Sequence, residues 1–175
     1  MLKGEKIYLR LMQVSDIKRL YDLSNDYEVK KYNDKMLDID EKIHIDEDSS
    51  NVNIYERKAV SIINKKNVLV GFMTYKPNDY CNNVYSIGIT IGKKYWNRGY
   101  GQDAIKTLIK YLFDDLNAKR IQLEVAAENI RAIKCYKKCG FVEEKIRKAI
   151  YYIDGKYMDI IIMGILKKRD GFINY

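Results

Sequence analysis

The feature that most constrains this chain is the stretch from Ser86 to Leu116. It passes from a β-rich apolar run through a basic turn into a long amphipathic pattern. Gly99 and Gly101 lie in that turn and remove two side chains where the backbone has to bend. The helix expected after the turn offers unpaired backbone N–H groups and the positive end of its dipole at the same point. The stretch therefore predicts a strand, an anion-binding turn and a helix, and phosphate is the usual anion at such a turn.

Length and composition indicate a single domain, residues 1–175. The 175 residues suffice for one well-buried core, and a single proline and the lack of a Gly/Ser-rich tract argue against a linker. The N-terminus lacks the apolar core of a signal peptide, and no apolar run approaches the roughly 20 residues of a membrane span. Cys81, Cys135 and Cys139 show neither C-x-x-C nor zinc-like spacing. We therefore expect free thiols in a reducing cytoplasm and no metal site.

The charge is unevenly distributed along the chain. The net charge is +8, yet residues 26–48 carry nine acidic and four basic side chains. This asymmetry favours two sites for oppositely charged ligands over a nucleic-acid clamp, although two solvated surfaces would produce the same pattern. We therefore expect neither a nucleic-acid nor a membrane partner.

Hydrophobic periodicity and turn residues predict the order of the elements. Strands are expected at 7–12, 58–63, 68–75, 84–91 and 120–127, from residue 141, and at 157–166 after an I-D-G-K hairpin turn. Helices are expected at about 16–25, within the acidic stretch, at 99–117, and from Asn129 to just before Gly140. The predicted class is α/β (α+β): one mixed, mostly antiparallel sheet of about six or seven strands flanked by about four helices.

Two of these helices carry clear apolar patterns. Ser15 or Asp16 is the expected cap of the first helix. Its apolar side is predicted to hold Ile17, Leu20, Tyr21 and Leu23. The stripe of the central helix is predicted to hold Ala104, Ile105, Leu108, Leu112 and Leu116.

The glycine turn has several interpretations when it is considered alone. G-Y-G-Q-D-A satisfies the dinucleotide fingerprint G-x-G-x-x-A, and Glu124 follows at a suitable distance. That fingerprint normally opens its domain with further βαβ units behind it, whereas hairpin-like strands come first here. A P-loop is excluded because G-x-x-x-x-G-K-[ST] does not occur. Glycines that merely let a helix pack closely on a strand would give the same sequence without any ligand.

A second motif lies about 30 residues after the turn. E-N-I-R-A-I-K-C-Y-K-K-C-G-F, from Glu128 to Phe141, contains the pattern N-x-x-A-x-x-x-Y-x-x-x-G-F. Together the two stretches resemble the GNAT superfamily of acetyl-CoA-dependent N-acetyltransferases, and the resemblance covers nearly the whole chain. It is greatest to the bacterial spermidine/diamine and the ribosomal-protein N-terminal acetyltransferases. Trp96 stands where the family motif begins with Gln or Arg, a variant of these two subfamilies. The resemblance implies a GNAT-like twisted sheet with splayed central strands.

Acetyl-CoA is the cofactor that the resemblance implies. Backbone amides from Asn97 to Ala104 would hold the pyrophosphate, and the acyl-pantetheine arm would lie between the splayed strands. Lys93 and Lys94 would add positive charge, although a solvated loop would also explain them. The expected cofactor-binding residues are Ile89, Thr90, Ile91, Asn97, Arg98, Gly99, Tyr100, Gly101, Gln102, Asn129 and Lys134.

Tyr136 and Glu124 are the expected catalytic residues. Tyr136 matches the family tyrosine whose hydroxyl protonates the departing thiolate, and a phenol with a pKa of about 10 stays protonated at neutral pH. At the acceptor, freeing an amine with a pKa of about 10.4 costs about 4–5 kcal/mol at pH 7, so a general base is expected. Many relatives place a glutamate where Ser86 stands here. Glu124 is the best remaining carboxylate, with a solvent-facing role as the alternative, and a surface role is expected for His44.

The resemblance implies direct attack of the amine on the thioester in a ternary complex. Backbone N–H groups at Ile89–Ile91 would bind the oxyanion. A covalent route through Cys135 or Cys139 finds no activating neighbour in the sequence, so both are expected to be buried structural thiols.

The acceptor is expected to be a small-molecule amine, with a polyamine such as spermidine favoured. The acidic stretch, including Asp34 and Glu41, would form one wall of the acceptor pocket and attract a polycation. Tyr85 and Ser86 would contribute to the same pocket. The alternatives are a protein N-terminus, an amino acid or an aminoglycoside, or a catalytically silent coenzyme A-binding domain. A homodimer or larger homo-oligomer is a further expectation, since a dimer is common among the relatives.

Overall fold

The computed structural model describes residues 1–32, 43–45, 52–54, 57–78, 80–153 and 156–167. Its strands are β1 (Leu2–Lys3), β2 (Ile7–Leu11), β3 (Ile43–Ile45), β4 (Val52–Ile54), β5 (Arg57–Asn64), β6 (Leu69–Pro77), β7 (Val84–Ile91), β8 (Arg120–Ala126), β9 (Val142–Ile153) and β10 (Lys156–Leu166). Its helices are α1 (Ile17–Ser24), α2 (Tyr27–Lys30), α3 (Tyr100–Asp114) and α4 (Ile130–Lys138). None of the helices in these ranges combines the length and apolarity that a membrane crossing requires.

The strands form one mixed sheet in the order β1-β2-β5-β6-β7-β8-β10-β9, with β3 and β4 paired beside β5. Within the described ranges every pairing is antiparallel except that of β7 with β8. The predicted mixed, mostly antiparallel sheet with four helices is confirmed. The strands beyond the predicted set are β1, β3 and β4, which have only two or three residues each. Strands this short contain too few residues to show an alternating pattern.

The centre of the sheet is split between β7 and β8. These parallel strands pair only over their first three residues, from Val84 opposite Arg120 to Ser86 opposite Gln122. Both strands continue beyond this point, so their remaining residues separate. The splayed central strands are therefore confirmed. Backbone N–H and C=O groups that face such a gap need partners from a ligand or water.

One face of the sheet packs against α3 and α4. The predicted stripe of α3 is buried on this face: Ala104, Ile105, Leu108 and Leu112, with Leu116 partly buried beside it. The helix ends at Asp114, not at Asn117 as predicted. Asn117 has a φ of 52°, a left-handed conformation through which a right-handed helix does not continue.

The opposite face is covered at one end by α1 and β4. Leu20 of α1 and Ile54 of β4 pack on Phe72 in a separate core cluster. Tyr21 is 42% exposed, so its predicted place on the apolar side was wrong. The buried face of α1 centres on Leu20 and Leu23, and Tyr21 lies at its edge.

Asp16 does not cap α1 with its side chain, contrary to the prediction. The chain enters α1 through a 3₁₀ turn, Val14–Asp16, and the Asp16 carboxylate accepts hydrogen bonds from the Gln13 N–H, the Ser61 hydroxyl and both terminal nitrogens of Arg10. Burial by itself raises the pKa of Asp16, but these hydrogen bonds outweigh burial and lower the pKa below its ordinary value. The carboxylate therefore joins β2, β5 and the start of α1.

Capping residues bound the remaining helices. The Asn129 side chain accepts from the Ala132 N–H at 3.2 Å, which confirms the predicted cap of α4, and Gly140 has a φ of +95° just past the helix, as expected. The helix expected in the acidic stretch begins behind Asp26 as the short α2. Residues 33–42 and 46–51 of that stretch lie outside the described residues, and so do residues 154–155 of the I-D-G-K turn.

Candidate active site

The gap between β7 and β8 opens into a cavity of about 930 Å³. The C-terminal halves of both strands, the glycine turn, the start of α3 and one face of α4 line it. The predicted site residues that line this cavity are Ile89, Thr90, Ile91, Asn97, Gly99, Tyr100, Gly101, Gln102, Glu124, Asn129, Lys134 and Tyr136. Residues from two motifs far apart in the sequence therefore meet around one space.

The structure does not bring all the predicted residues to this cavity. Tyr85 is not among the residues that line the cavity, and it packs against the main core, near Tyr75. Arg98 is absent from the lining, and its carbonyl accepts a hydrogen bond from the Lys6 ammonium at 3.3 Å. Ser86 lies at the closed end of the gap, where its hydroxyl is 3.4 Å from the Gln122 side-chain nitrogen. Asp34 and Glu41 lie outside the described residues.

The glycine turn has the shape of an anion cradle. Asn97 and Gly99 both adopt positive φ, 58° and 81°, which turns the backbone sharply into α3. No side chain in the described ranges caps the helix at Gly99, which leaves its first N–H groups available to a ligand. A Cβ on Gly101 would project among the cavity-lining side chains of Ile91, Ile89 and Cys135, at 3.7–4.0 Å. Glycine there leaves room for an anion against the backbone, which fits a pyrophosphate.

Asp103 would repel an anion from this helix end if its carboxylate pointed into the cavity. It instead accepts hydrogen bonds from the backbone N–H groups of Glu5, Lys6 and Ile7, at 2.7–3.1 Å. The first turn of α3 thus directs its one acid toward the N-terminal segment. This leaves the positive helix dipole unopposed on the cavity side.

Three cations of α4 line the cavity, and the sequence analysis had named only one of them. Arg131, Lys134 and Lys138 all contribute to the lining. The guanidinium carbon of Arg131 lies 3.0 Å from the centre of the Trp96 ring, and burial lowers the pKa of Arg131. The Trp96 ring nitrogen donates to the Ile91 carbonyl at 2.7 Å, so it ties the turn to the end of β7. The spacing of the three cations along one helix face was the signal that could have revealed Arg131 and Lys138.

Lys93 and Lys94, which were expected to add charge here, are not among the lining residues. The Lys94 ammonium lies 5.2 Å from the centre of the Tyr95 ring. Tyr32, which the sequence analysis missed, lines the cavity beyond α2, and its hydroxyl lies 3.5 Å from the Glu128 carbonyl. No local sequence signal predicts Tyr32, because its position depends on how the chain after α2 meets the loop before α4.

Tyr136 is buried, and its hydroxyl group has no hydrogen-bond partner among the described residues. The side chain is 7% exposed, lines the cavity and packs edge-on against Phe141 at 6.1 Å between ring centres. Among the described residues no group hydrogen-bonds to its hydroxyl. Burial, reinforced by the neighbouring Cys135 and Cys139, raises the pKa of Tyr136 well above its ordinary value. The phenol therefore stays protonated at neutral pH and can donate a proton into the cavity.

Glu124 lines the cavity from β8, but it is not a free carboxylate. Its Oε1 accepts a hydrogen bond from Arg147 of β9 at 3.3 Å, and the two side chains are about half exposed. Any proton taken up by Glu124 competes with this ion pair. The alternative of a solvent-facing strand residue therefore stays open for Glu124.

The two cysteines of the second motif differ in their surroundings. Cys139 is buried, and its hydrogen bond with Cys135, together with burial, raises the pKa of Cys139. Cys135 is only partly buried and lines the cavity, and the same hydrogen bond lowers the pKa of Cys135. The expectation of a buried thiol is confirmed for Cys139 and was wrong for Cys135, whose helix position faces the glycine turn.

Comparison with known proteins places these features in a family. The model of the acetyltransferase (GNAT) domain matches residues 6–142. Spermidine N(1)-acetyltransferase of Vibrio cholerae is 28% identical over 171 residues, which cover 95% of this chain and 96% of that protein. L-amino acid N-acetyltransferase AaaT of Escherichia coli is 33% identical over 86 residues, 49% of this chain and 53% of that protein. A solved structure of spermidine N-acetyltransferase from Vibrio cholerae in complex with CoA and spermine has the same fold, with a TM-score of 0.74 at 22% identity over 93% of this chain and 96% of that one.

Proposed function

This chain belongs to the GNAT acetyltransferase family, and we propose that its acceptor is a polyamine such as spermidine. As a member of the family it is an acetyl-CoA-dependent N-acetyltransferase. The observation that carries the reaction is the cavity in the split sheet, where the glycine turn and the Tyr136 hydroxyl, which has no hydrogen-bond partner in the described part of the chain, line the same space. The spermidine relative, which matches nearly the whole chain, supports the acceptor. The acidic stretch supports it as well, because carboxylates such as Asp34 and Glu41 attract a polycation.

The proposed binding mode follows from the charges and the shape of the cavity. First-turn amides of α3 and the cations Arg131, Lys134 and Lys138 hold the pyrophosphate of the acetyl donor. The split between β7 and β8 receives the pantetheine arm. Its unpaired strand edges offer the hydrogen bonds that such an arm can use.

The proposed chemistry is a direct transfer in a ternary complex. The neutral amine nitrogen attacks the acetyl carbonyl carbon, and backbone N–H groups of Ile89–Ile91 stabilise the oxyanion. As the C–S bond breaks, the Tyr136 hydroxyl protonates the leaving sulfur. Glu124 is the carboxylate of the cavity wall from which a base could act, although it first has to release Arg147.

A steady-state assay of thiol release tests both the reaction and the acceptor. Purified protein with acetyl-CoA is compared on spermidine, spermine and putrescine, with butylamine as a matched control that lacks the second ammonium. We expect kcat/KM to be at least about tenfold higher for putrescine than for butylamine, because the distal charge contributes an ion-pair interaction. Turnover only with amino acids, aminoglycosides or N-terminal peptides would rule out a polyamine as the acceptor, and acetyl transfer to an amine would still hold. Tight coenzyme A binding without thiol release for any amine would identify a catalytically silent domain.

We also propose that the protein works in the cytoplasm. Cys81, Cys135 and Cys139 are all free thiols, and Cys81 is exposed. Exposed and unpaired thiols persist in a reducing compartment. Fractionation of native cells followed by immunodetection would test this location, and recovery in a secreted or periplasmic fraction would contradict it.

A further inference from the structure

The walls of the cavity differ in charge. Its cations, Arg131, Lys134 and Lys138, all belong to α4. Glu124 of β8 is the one carboxylate among the described lining residues, and it is paired with Arg147. The lining residues of the β9–β10 hairpin, which we call the hairpin wall, are all uncharged: Ile150, Tyr152, Met158 and Ile160. The cavity therefore has a basic wall on α4 and an apolar, aromatic wall on the hairpin.

The hairpin wall continues into a small apolar cluster on β8. Met158 and Ile160 are buried together with Ala126, which also lines the cavity. Tyr32, which follows α2, packs against this cluster and lines the cavity beside it. The pyrophosphate of the acetyl donor has no use for such a surface, whereas the methylene groups of an aliphatic amine do, because contact with it removes both from water. The hairpin wall therefore suits the acceptor.

Tyr152 is the aromatic residue of the hairpin wall. Its side chain is 66% exposed although it lines the cavity. Its ring centre lies 4.9 Å from that of Tyr157, the residue directly opposite on β10, and the two rings are inclined at 58°. A cross-strand aromatic pair stabilises a hairpin, but that role does not require either ring to line a cavity. Tyr157 is not among the lining residues, so it supports the Tyr152 ring without occupying the cavity.

The face of a tyrosine ring attracts an ammonium group within about 6 Å of the ring centre. The Lys31 ammonium already lies 5.4 Å from the centre of the Tyr32 ring. In the described part of the chain no cation lies over the ring of Tyr152 in the same way. Tyr152 is therefore the lining tyrosine of the acceptor side whose ring is available to a cationic ligand.

We propose that Tyr152 selects a diamine over a monoamine by holding the distal ammonium of the acceptor against its ring. This inference rests on the proposed transfer of an acetyl group to a polyamine. The methylene groups of the acceptor lie along Met158 and Ile160, and the reacting nitrogen lies deeper in the cavity. Tyr157 is a positioning residue that supports the Tyr152 ring. The distal nitrogen keeps its proton throughout, because a cation–π contact favours the charged form.

The expected size of the effect follows from the exposure of the ring. A cation–π contact changes affinity roughly 2–5-fold at an exposed site and about 30-fold when the ring is desolvated. Tyr152 is 66% exposed before an acceptor binds, so we expect a change of about fivefold. The contact requires the ring and not the hydroxyl, and the attraction acts only on an acceptor that carries a second ammonium.

The test compares putrescine with butylamine, which lacks the distal ammonium, in the thiol-release assay at saturating acetyl-CoA. Tyr152→Leu removes the ring and keeps an apolar side chain. We expect kcat/KM for putrescine to fall about fivefold through KM, while kcat/KM for butylamine stays within about twofold. Tyr152→Phe should retain the wild-type values, because it keeps the ring. Tyr157→Leu should cause about a twofold loss for putrescine alone. Tyr80→Leu is the control, since Tyr80 is exposed and lies outside the lining.

Each other outcome contradicts the proposal. Equal losses for both amines in Tyr152→Leu, with a lower melting temperature, would show that Tyr152 only supports the hairpin. A loss in Tyr152→Phe as large as in Tyr152→Leu would assign the effect to the hydroxyl group and would also overturn it. If Tyr152→Leu did not fold, an unchanged preference for putrescine in Tyr157→Leu would decide against the inference.

The same assay separates this inference from the proposed function. A wild-type protein that turns over no amine, or that does not prefer putrescine to butylamine, would overturn the polyamine acceptor and this inference together. A wild-type preference for putrescine that survives unchanged in Tyr152→Leu would overturn the inference alone.

Discussion

Replacing Tyr136 with Phe isolates the role of one hydroxyl group. The hydroxyl has no partner among the described residues, so its removal leaves no orphaned donor or acceptor behind. The ring keeps its edge-on packing against Phe141 at 6.1 Å. We therefore expect the free energy of unfolding to change by less than about 1 kcal/mol. Acetyl-CoA affinity should also stay within about twofold, since first-turn amides and α4 cations provide the proposed binding.

The catalytic effect should be much larger than the effect on stability. Proton transfer to a leaving group by a positioned side chain typically contributes about 100- to 10,000-fold, or roughly 2.7–5.4 kcal/mol of the activation barrier. We expect kcat of Tyr136→Phe to fall at least about 100-fold. Because burial raises the pKa of Tyr136 above 10, its ionisation should cause no loss of wild-type activity below pH 10.

The measurement combines thiol-release kinetics, calorimetric titration with coenzyme A and thermal unfolding. Tyr75→Phe is the matched control, because Tyr75 is buried but lies outside the cavity lining, edge-on to Tyr111 at 6.2 Å. This variant should retain kcat within about threefold. If Tyr136→Phe also retained kcat within threefold, Tyr136 would have no part in the proton transfer. A rise in KM for acetyl-CoA at unchanged kcat would point to a binding role instead.

Three further substitutions separate stability from function. Asp16→Asn should lower the free energy of unfolding by about 2 kcal/mol, because it leaves the Arg10 guanidinium without its charge partner. Since the folded state lowers the pKa of Asp16, this stabilisation is present above about pH 4 and is lost as the pH falls through the folded pKa. Chemical denaturation from pH 2.5 to 7 should therefore show the stabilities of the two proteins converging at the acidic end. Gly101→Ala should raise the melting temperature slightly, because alanine favours a helix and its methyl group would make only ordinary contacts. The KM for acetyl-CoA should rise about tenfold, and an unchanged KM would contradict anion binding at the glycine turn. Arg131→Met should weaken coenzyme A binding about tenfold, and the affinity of the variant should change less between 0.05 and 0.5 M salt than that of the wild type. Lys137→Gln is the control, because Lys137 is exposed and paired with Glu143, and it should change neither the affinity nor its salt dependence.

The elements of the central stretch could be predicted because their signals are local. Val84–Ile91 is the strand that its apolar pattern predicted, and α3 begins directly after Gly99. The side-chain cap at Asn129 and the positive φ of Gly140 likewise depend on a few neighbouring residues. The predicted helix end at Asn117 was wrong, since the helix ends at Asp114, and the left-handed conformation of Asn117 has no strong sequence signal beyond the frequency of asparagine in that conformation.

The cavity and its partners depend on contacts between residues that are far apart in the sequence. The predicted pocket residue Tyr85 lies instead against the core, because its position on β7 faces the α3 side, whereas Ser86 faces the other way. Arg131 meets Trp96 only because α4 packs beside the glycine turn. Glu124 is paired because β9 brings Arg147 next to it, and no local pattern announces such a pairing.

The sequence alone determined the order of the elements, the position of the glycine turn and the place of Tyr136, since each depends on backbone preference and spacing within one segment. Only the tertiary structure decided that β7 and β8 part after Ser86, that Tyr136 lies buried with no hydrogen-bond partner for its hydroxyl among the described residues, and that Arg131 of α4 packs on Trp96 beside the glycine turn. The physical reason is that burial and electrostatics act through space. The sequence pattern around a residue indicates which element it belongs to. Its desolvation and its charged neighbours depend on the elements that the fold packs against it.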